Sequence, residues 1–173
     1  MQELSKEELL DKIEKTAREY EANYHGCTRC VLLPLQENLD LGDDLTFQAS
    51  TPLAGGVAMR NETCGALLGG LLAVGLVTAS KKIENEAALY DSLAAGFRFF
   101  RRFEKAMGNS LCSEIQKEKF GRAFNMADVK DYEALKEAGG YDIDRGCPQV
   151  VGKAARLAAE FILELREKQA AKG

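Results

Sequence analysis

An uncharged, glycine-rich stretch from Thr63 to Ser80 constrains the fold more than any other part of the sequence. Its eighteen residues are long enough to cross a bilayer. Gly65, Gly69 and Ala73 recur at four-residue spacing, so one face of a helix here is nearly bare backbone. Because the rest of the chain is amphipathic, we interpret this stretch as a buried central helix that its neighbours approach closely, and not as a membrane span.

The rest of the chain is predicted to be almost entirely helical. Ser5 and Glu8 form a capping box for a first helix that reaches about residue 22, with Leu9, Ile13, Tyr20 and Tyr24 on its apolar side. The other predicted helices run from about Cys27 to Leu39 with Pro34 inside, Asp43 to Thr51, about 62 to 79, about 84 to 107, about 111 to 119, Asp128 to Ala138, and Pro148 to about Lys168. No strand pattern of comparable strength, repeat or linker is present. We therefore expect an all-α fold, a single domain over 1–173 with about seven or eight helices bundled around the glycine-rich helix.

The net charge and the cysteine content limit the classes of function that the chain can have. The formal net charge is −4 and the pI about 5.2, without the excess of positive charge that nucleic-acid binding needs. The first fifteen residues contain no apolar run with a small-residue cleavage site, so we expect a cytoplasmic protein. Thiols stay reduced in that compartment, and five cysteines then point to metal binding, catalysis or burial more than to a disulfide framework.

Four of the five cysteines fall at predicted helix N-termini. Cys27 follows Gly26, Cys64 follows a candidate Asn61 cap, Cys112 follows Ser110, and Cys147 precedes Pro148 and would itself be the cap. Free N–H groups and the positive end of the helix dipole stabilise a thiolate or an anionic metal-thiolate group there. One such placement has little weight, because cysteine is a common core residue, but four together favour a shared site.

Cys30 completes a C-x-x-C motif with Cys27, beside the single histidine of the chain, His25. Cys30 lies one turn into its helix, where a core role is the favoured reading, with a substitute ligand or a resolving thiol as the alternatives. His25 can be read as a ligand or a proton donor, although a lone loop histidine is usually neither.

A basic stripe lies within the segment FRFFRRFEK. Arg98, Arg101, Arg102 and Lys105 share one side of the predicted helix, while Phe97, Phe100, Phe103 and Met107 face mostly elsewhere. The stripe could dock an acidic electron carrier, but a solvated face opposite an aromatic core face is the favoured reading.

These residues carry a resemblance to a known family. The chain resembles, over about residues 20–165, the redox-active protein family named for its C, G-C-A-x-x-G, C, C pattern. The segments that carry the resemblance are Cys27, AGGVAMRNETCGALLGGLLAVGL, FEKAMGNSLCSEI and GCPQVVGKAARLAAEFI. The central box here reads C-G-A-x-x-G, and Cys30 and Pro34 lie outside the pattern. The resemblance places the family's cysteines on Cys27, Cys64, Cys112 and Cys147 and its glycines on Gly55, Gly56, Gly65 and Gly69.

The resemblance also implies a class of cofactor. The family is similar to the cysteine-bearing part of split-Soret cytochromes, in which such a domain holds an iron-sulfur cluster, and its genes often lie near transporters. Covalent haem is excluded here, because Val31 and not histidine follows the C-x-x-C motif. We expect a [2Fe-2S] cluster, with zinc or no cofactor as alternatives, and another electron carrier or a transporter-linked protein as partner, with a homodimer also open.

Four thiolates suit either a [2Fe-2S] cluster or a zinc ion. The cysteines lie 37, 48 and 35 residues apart, unlike the paired knuckles usual in structural zinc sites, which weakly favours a cluster. Our first hypothesis is therefore an electron-transfer or redox-sensing protein with no catalytic residue. The alternatives are a thiol-disulfide oxidoreductase using Cys27 and Cys30 or another pair, and a zinc-holding or cysteine-packed binding module.

Overall fold

The computed structural model describes residues 4–171, and within them the fold is all-α. The helices of this part are α1 (Lys6–Tyr24), α2 (Cys27–Leu39), α3 (Asp44–Ser50), α4 (Gly65–Thr78), α5 (Glu86–Met107), α6 (Cys112–Phe120), α7 (Val129–Glu137) and α8 (Cys147–Ala170), with a 3-10 turn at Thr51–Leu53. The only extended pairing within residues 4–171 is a single antiparallel bridge between Thr63 and Leu111. The sequence-based prediction of an all-α bundle is confirmed.

The glycine-rich helix α4 lies at the centre of the bundle, against α2, α5 and α8. A Cβ added at Gly69 would lie 2.5 Å from the Thr28 carbonyl oxygen of α2, and one added at Gly70 would overlap the Phe99 ring of α5. The missing side chains therefore let two helices pack on α4 at close range. None of the helices described between residues 4 and 171 is both long and apolar enough to span a membrane.

The apolar core fills the space between α1, α2, α4, α5 and α8. Its largest fully buried apolar side chains are Phe99, Phe103, Ile13, Leu32, Leu35, Leu67, Ile162, Val31, Val74 and Val151. Small side chains on α8, among them Ala155 and Ala158, let the neighbouring helices approach it. Arg156 of α8 joins α1 through ion pairs with Glu7, Asp11 and Glu14.

Two helix faces differ from the predicted ones. In α1 the buried positions are Leu10, Ile13, Ala17 and Glu21, whereas Tyr24 is largely exposed, so the apolar side is rotated relative to the expected stripe. In α5 Phe99 and Phe103 are buried while Phe97 is 66% exposed. Both shifts follow from which neighbouring helices cover the helix, α8 for α1 and α4 for α5.

Candidate functional site: a cavity lined by four cysteines

Four helices begin at the same end of the bundle, and each brings a cysteine with it. Cys27, Cys112 and Cys147 are the first residues of α2, α6 and α8, and Cys64 is the N-cap residue of α4. Asn61 is not the cap of α4, because its backbone is left-handed and its side-chain amide donates to the Phe124 carbonyl oxygen. At the start of α8, the N-cap residue is Gly146, with an extended backbone, and Cys147 is the first helical residue.

A short backbone bridge holds Cys64 next to Cys112. The Cys64 N–H donates to the Ser110 carbonyl oxygen at 2.8 Å, and the Cys112 N–H donates to the Glu62 carbonyl oxygen at 2.7 Å. Two segments separated by about fifty residues of chain are thereby fixed side by side, as in an antiparallel sheet. The bridge also occupies the N–H groups of both cysteines, which are therefore not free to bind a sulfur or an anion.

Two glycines let the cysteines approach. A Cβ added at Gly65 would overlap the Cys27 sulfur and lie 2.7 Å from Thr28 Oγ1. A Cβ added at Gly56 would lie 2.7 Å from Cys112 Cβ. Any side chain at these two positions would therefore push Cys27 or Cys112 out of place.

Cys147 reaches the same place through the turn before α8. Its N–H donates to the Gly140 carbonyl oxygen at 2.8 Å. A Cβ on Gly146 would lie 2.5 Å from the carbonyl oxygens of Gly139 and Gly140, so this turn requires glycine.

Cys27, Cys64, Cys112 and Cys147 line one cavity of about 180 Å³. A single water needs only about 10–15 Å³ of such space, so the cavity has room for a group of many atoms. The other side chains that line it include Glu21, His25, Met59, Gln116, Met126, Tyr132 and Tyr141. Within the described residues, 4–171, no three His, Cys, Asp or Glu side chains are grouped closely enough to hold a metal ion.

A left-handed turn from Gly55 to Met59 closes one side of the cavity. Its five residues have φ between 51° and 68°, and three of them, Val57, Ala58 and Met59, are not glycine. The turn is held by backbone hydrogen bonds, such as the one from the Ala58 N–H to the Pro52 carbonyl oxygen at 2.8 Å. Positive φ costs about 1–3 kcal/mol for a residue with a side chain, and it is least favourable for β-branched residues such as Val57. Strain of this kind is concentrated at functional sites.

Burial is the largest influence on the pKa values of the four cavity thiols, and it raises all of them. It raises the pKa of Cys64 to about 11 and of Cys112 to about 12, and it raises the pKa values of Cys27 and Cys147 well above the ordinary value of a thiol. Backbone N–H groups act against this shift, Gly55 on Cys27 and Ala66 and Leu67 on Cys64, but they do not reverse it. The helix N-termini therefore do not generate thiolates by themselves, and at neutral pH the four thiols keep their protons unless a bound positive charge replaces them.

Glu21 is the main feature of the cavity that sequence reasoning missed. It is 3% exposed, burial raises the pKa of its carboxyl to about 8, and its Oε2 atom has no hydrogen-bond partner in the described structure. The sequence did contain a signal, because Glu21 continues the spacing of Ile13 and Ala17 on the buried side of α1. A carboxyl at a core position of an amphipathic helix is expected to have a function or a partner.

Cys30 lies outside the cavity. It is 2% exposed, its sulfur donates to the His25 carbonyl oxygen at 3.2 Å, and it borders a separate pocket beside Tyr20 and Tyr24. The two cysteines of the C-x-x-C motif therefore lie in different places: Cys27 lines the cavity, and Cys30 packs in the core.

His25 lines the cavity, and its ring is held in place by a hydrogen bond and by Tyr141. Its Nδ1 atom lies 3.0 Å from the Glu21 carbonyl oxygen, which fits the tautomer protonated at Nδ1. Its ring packs against the Tyr141 ring at a tilt of 44°, with centroids 3.8 Å apart, and the Tyr141 hydroxyl donates to the Tyr132 hydroxyl at 3.0 Å. His25 thus ties the start of α2 to the turn before α8.

The basic stripe of α5 is partly used inside the molecule. Arg102 makes a two-pronged contact with Glu164 of α8, at 2.8 and 2.6 Å, and Arg101 pairs with Glu104 at 2.7 Å. These residues lie on a different part of the bundle from the cysteines, and they are not among the residues that line the cavity.

The comparisons with known proteins give one match. The family model described as "Putative redox-active protein (C_GCAxxG_C_C)" matches residues 5–161, which include all four cavity cysteines. No curated protein and no solved structure matches the chain. The match covers most of the chain, and the chain therefore belongs to the C_GCAxxG_C_C family.

Proposed function

We propose that the cavity holds an iron-sulfur cluster, [2Fe-2S], through Cys27, Cys64, Cys112 and Cys147, and that the protein transfers or senses electrons. The observation that carries the proposal is that cysteines from four separate helices line one cavity of about 180 Å³. When bound, such a cluster supplies one-electron redox chemistry. We place this activity in the cytoplasm, with another electron carrier or a transporter-linked protein as partner.

The shape of the cavity supports a group larger than one ion. A zinc ion bound by four thiolates needs every sulfur within about 2.3 Å of one point. The four cysteines instead line a space that holds many atoms, and the missing side chains of Gly65 and Gly56 let Cys27 and Cys112 approach it. That arrangement favours a cluster over zinc.

The raised pKa values of the thiols favour a metal site over a dithiol enzyme. Attack on a disulfide requires a thiolate, and the pKa values of Cys27 and Cys30 are both raised by burial. Cys30 also lies outside the cavity, hydrogen-bonded to His25. A Cys27–Cys30 dithiol enzyme is therefore less well supported than a metal site, in which the bound charge compensates four deprotonated sulfurs.

The test is to purify the protein without oxygen, reconstitute it with iron and sulfide, and record iron content, visible absorption and electron paramagnetic resonance. We expect brown protein whose visible absorption is bleached by dithionite. Protein that remains colourless and free of iron after reconstitution would refute the cluster, and one bound zinc with no visible absorption would establish the zinc module instead.

Single replacements test which cysteines are ligands. Cys64→Ser should lose iron and absorption, whereas the matched control Cys30→Ser should retain both. Equal loss from the two variants would mean that the four ligands are wrongly assigned. A Cys27–Cys30 disulfide in air-oxidised protein, with disulfide-reductase activity lost in either single variant, would favour the oxidoreductase.

A further inference from the structure

Gln116 is a buried polar side chain of α6 whose amide faces one of the four cavity cysteines. It is 2% exposed and lies one helical turn after Cys112, on the same side of the helix. Its Nε2 atom lies 3.6 Å from the Cys112 sulfur and 3.3 Å from the Met126 sulfur. The two N–H groups of this amide are therefore both directed at sulfur atoms.

The other end of the amide fixes this orientation. The Gln116 Oε1 atom accepts a hydrogen bond from the Phe124 N–H at 2.8 Å. A backbone N–H can only donate, so the atom that faces it must be the amide oxygen, and the NH2 group must face the sulfurs. Burying an amide without partners is unfavourable, and here each polar end of the side chain has one. Gln116 is thus held with a donor next to Cys112.

The cavity sulfurs differ in the kind of donor that reaches them. Backbone N–H groups supply the donors at Cys27 and Cys64. At Cys112 the donor is a side chain, that of Gln116, because the backbone N–H of Cys112 is used in the bridge to Glu62. Burial raises the pKa of the Cys112 thiol to about 12, and the Gln116 amide acts against this rise, as a group that stabilises negative charge on the sulfur should.

We propose that Gln116 is a positioning residue of the cysteine site, which donates an N–H···S hydrogen bond to Cys112 and raises the reduction potential of the bound cluster. The inference rests on the proposed iron-sulfur function and adds to it a residue outside the four cysteines. Uptake of one electron from a reductant places more negative charge on the ligand sulfurs, and no bond to Gln116 forms or breaks. A donor at a ligand sulfur therefore stabilises the reduced form more than the oxidised form.

A purely structural role for Gln116 would be to hold Phe124 in place. The Phe124 carbonyl oxygen is held separately by the Asn61 side-chain amide. Asn61→Gly removes that second attachment without removing a donor to sulfur, and glycine accepts the φ of 60° at this position. Comparing Gln116→Met with Asn61→Gly therefore separates loss of the sulfur donor from loosening of Phe124.

A redox titration of the reconstituted protein, followed by its visible absorption, tests the effect on the potential. We expect Gln116→Met to give about tenfold less reduced protein than the wild-type chain at the same applied potential, a decrease of about 59 mV, because one hydrogen bond to a charged sulfur is lost. Asn61→Gly should keep the wild-type potential.

Gln116→Glu is the second variant, and it preserves the local fold because its carboxyl still accepts from the Phe124 N–H. At alkaline pH its carboxylate offers no donor to sulfur, so we expect a decrease in potential at least as large as in Gln116→Met. Gln116 variants with the wild-type potential, or an equal decrease in Asn61→Gly, overturn the proposal.

Alkylation of the reduced, cofactor-free chain separates this proposal from the cluster itself. Iodoacetamide reacts with the thiolate form of cysteine, which the Gln116 N–H stabilises at Cys112. At one fixed pH we expect Cys112 of Gln116→Met to be alkylated about tenfold more slowly than in the wild-type chain, as followed by mass spectrometry, whereas Cys64 keeps its rate. An unchanged rate at Cys112 overturns the role of Gln116 even if the cluster forms. The slower rate in a protein that binds no iron upholds the hydrogen bond and refutes the proposed cluster instead.

Discussion

The central core and the cysteine cavity are both buried, but they are built in opposite ways. In the core, side chains such as Phe99, Leu67 and Ile162 are fully buried and apolar. Of the four buried side-chain atoms without a hydrogen-bond partner in the described residues, three lie in or beside the cavity: Glu21 Oε2, Thr28 Oγ1 and Asn61 Oδ1. The left-handed residues Val57, Ala58 and Met59 are in the same region.

This difference shows that the destabilising features of the fold are concentrated around the cavity. An unpartnered buried polar group costs about 1–3 kcal/mol, and each strained residue costs a similar amount. A protein selected only for stability would not collect both kinds of cost beside one cavity. Their presence there, and not in the core, supports a functional role for the cavity that is independent of the cysteine motif.

The largest expected effect comes from opening the core. Phe99→Ala should lower the free energy of unfolding by about 3–5 kcal/mol, because it leaves a void against α4 and α8. Phe97→Ala, the exposed position two residues earlier, should change it by less than about 1 kcal/mol. Urea denaturation at low protein concentration measures both values. Similar losses from the two variants would show that the core does not depend on Phe99.

A pH-dependent effect on stability is expected from the cavity. The pKa of Glu21 is raised by burial from 4.5 to about 8, so between these values the folded protein binds more protons than the unfolded chain. Ionisation of Glu21 therefore lowers the free energy of unfolding as the pH rises, with a slope of at most about 1.4 kcal/mol per pH unit.

Glu21→Gln removes that ionisable group. The variant should lose this slope and be more stable than the wild-type chain near pH 8, as measured by urea denaturation at several pH values. Glu19→Gln, an exposed position on the same helix, should keep the wild-type slope. A Glu21→Gln variant with the wild-type slope would mean that another group titrates in this range.

The smallest expected effect concerns a single hydroxyl. Thr28 is fully buried and its Oγ1 atom has no partner, so Thr28→Val should raise the free energy of unfolding by about 1 kcal/mol. In the matched control Thr78→Val, a hydroxyl bonded to the Val74 carbonyl oxygen and to Ser92 is lost, and we expect a decrease of about 1 kcal/mol. Thermal unfolding of the two variants measures whether each substitution raises or lowers the stability. A stability loss in Thr28→Val would show that its hydroxyl is satisfied in solution.

Most of the helices were predictable because their signals are local. Ser5 with Glu8 caps α1 as expected, Asn85 and Asp128 cap α5 and α7, and the C-x-x-C helix continues through Pro34. The predicted start of α4 was about three residues too early, because the residues before Cys64 belong to the bridge with Leu111 and to the left-handed turn. Both features depend on contacts with distant parts of the chain, which a local pattern does not contain.

The sequence by itself determined that the chain is helical, that α4 presents a face of bare backbone, and that four cysteines begin four helices. These properties follow from capping residues, glycine spacing and helical periodicity, which act over a few residues. Only the tertiary structure decided that Glu21 turns into the cavity while Cys30 turns into the core, and that burial keeps the thiols protonated. Those outcomes depend on which helices cover each side chain, and at Cys64 the effect of burial on the pKa outweighs that of the backbone N–H groups at the start of α4.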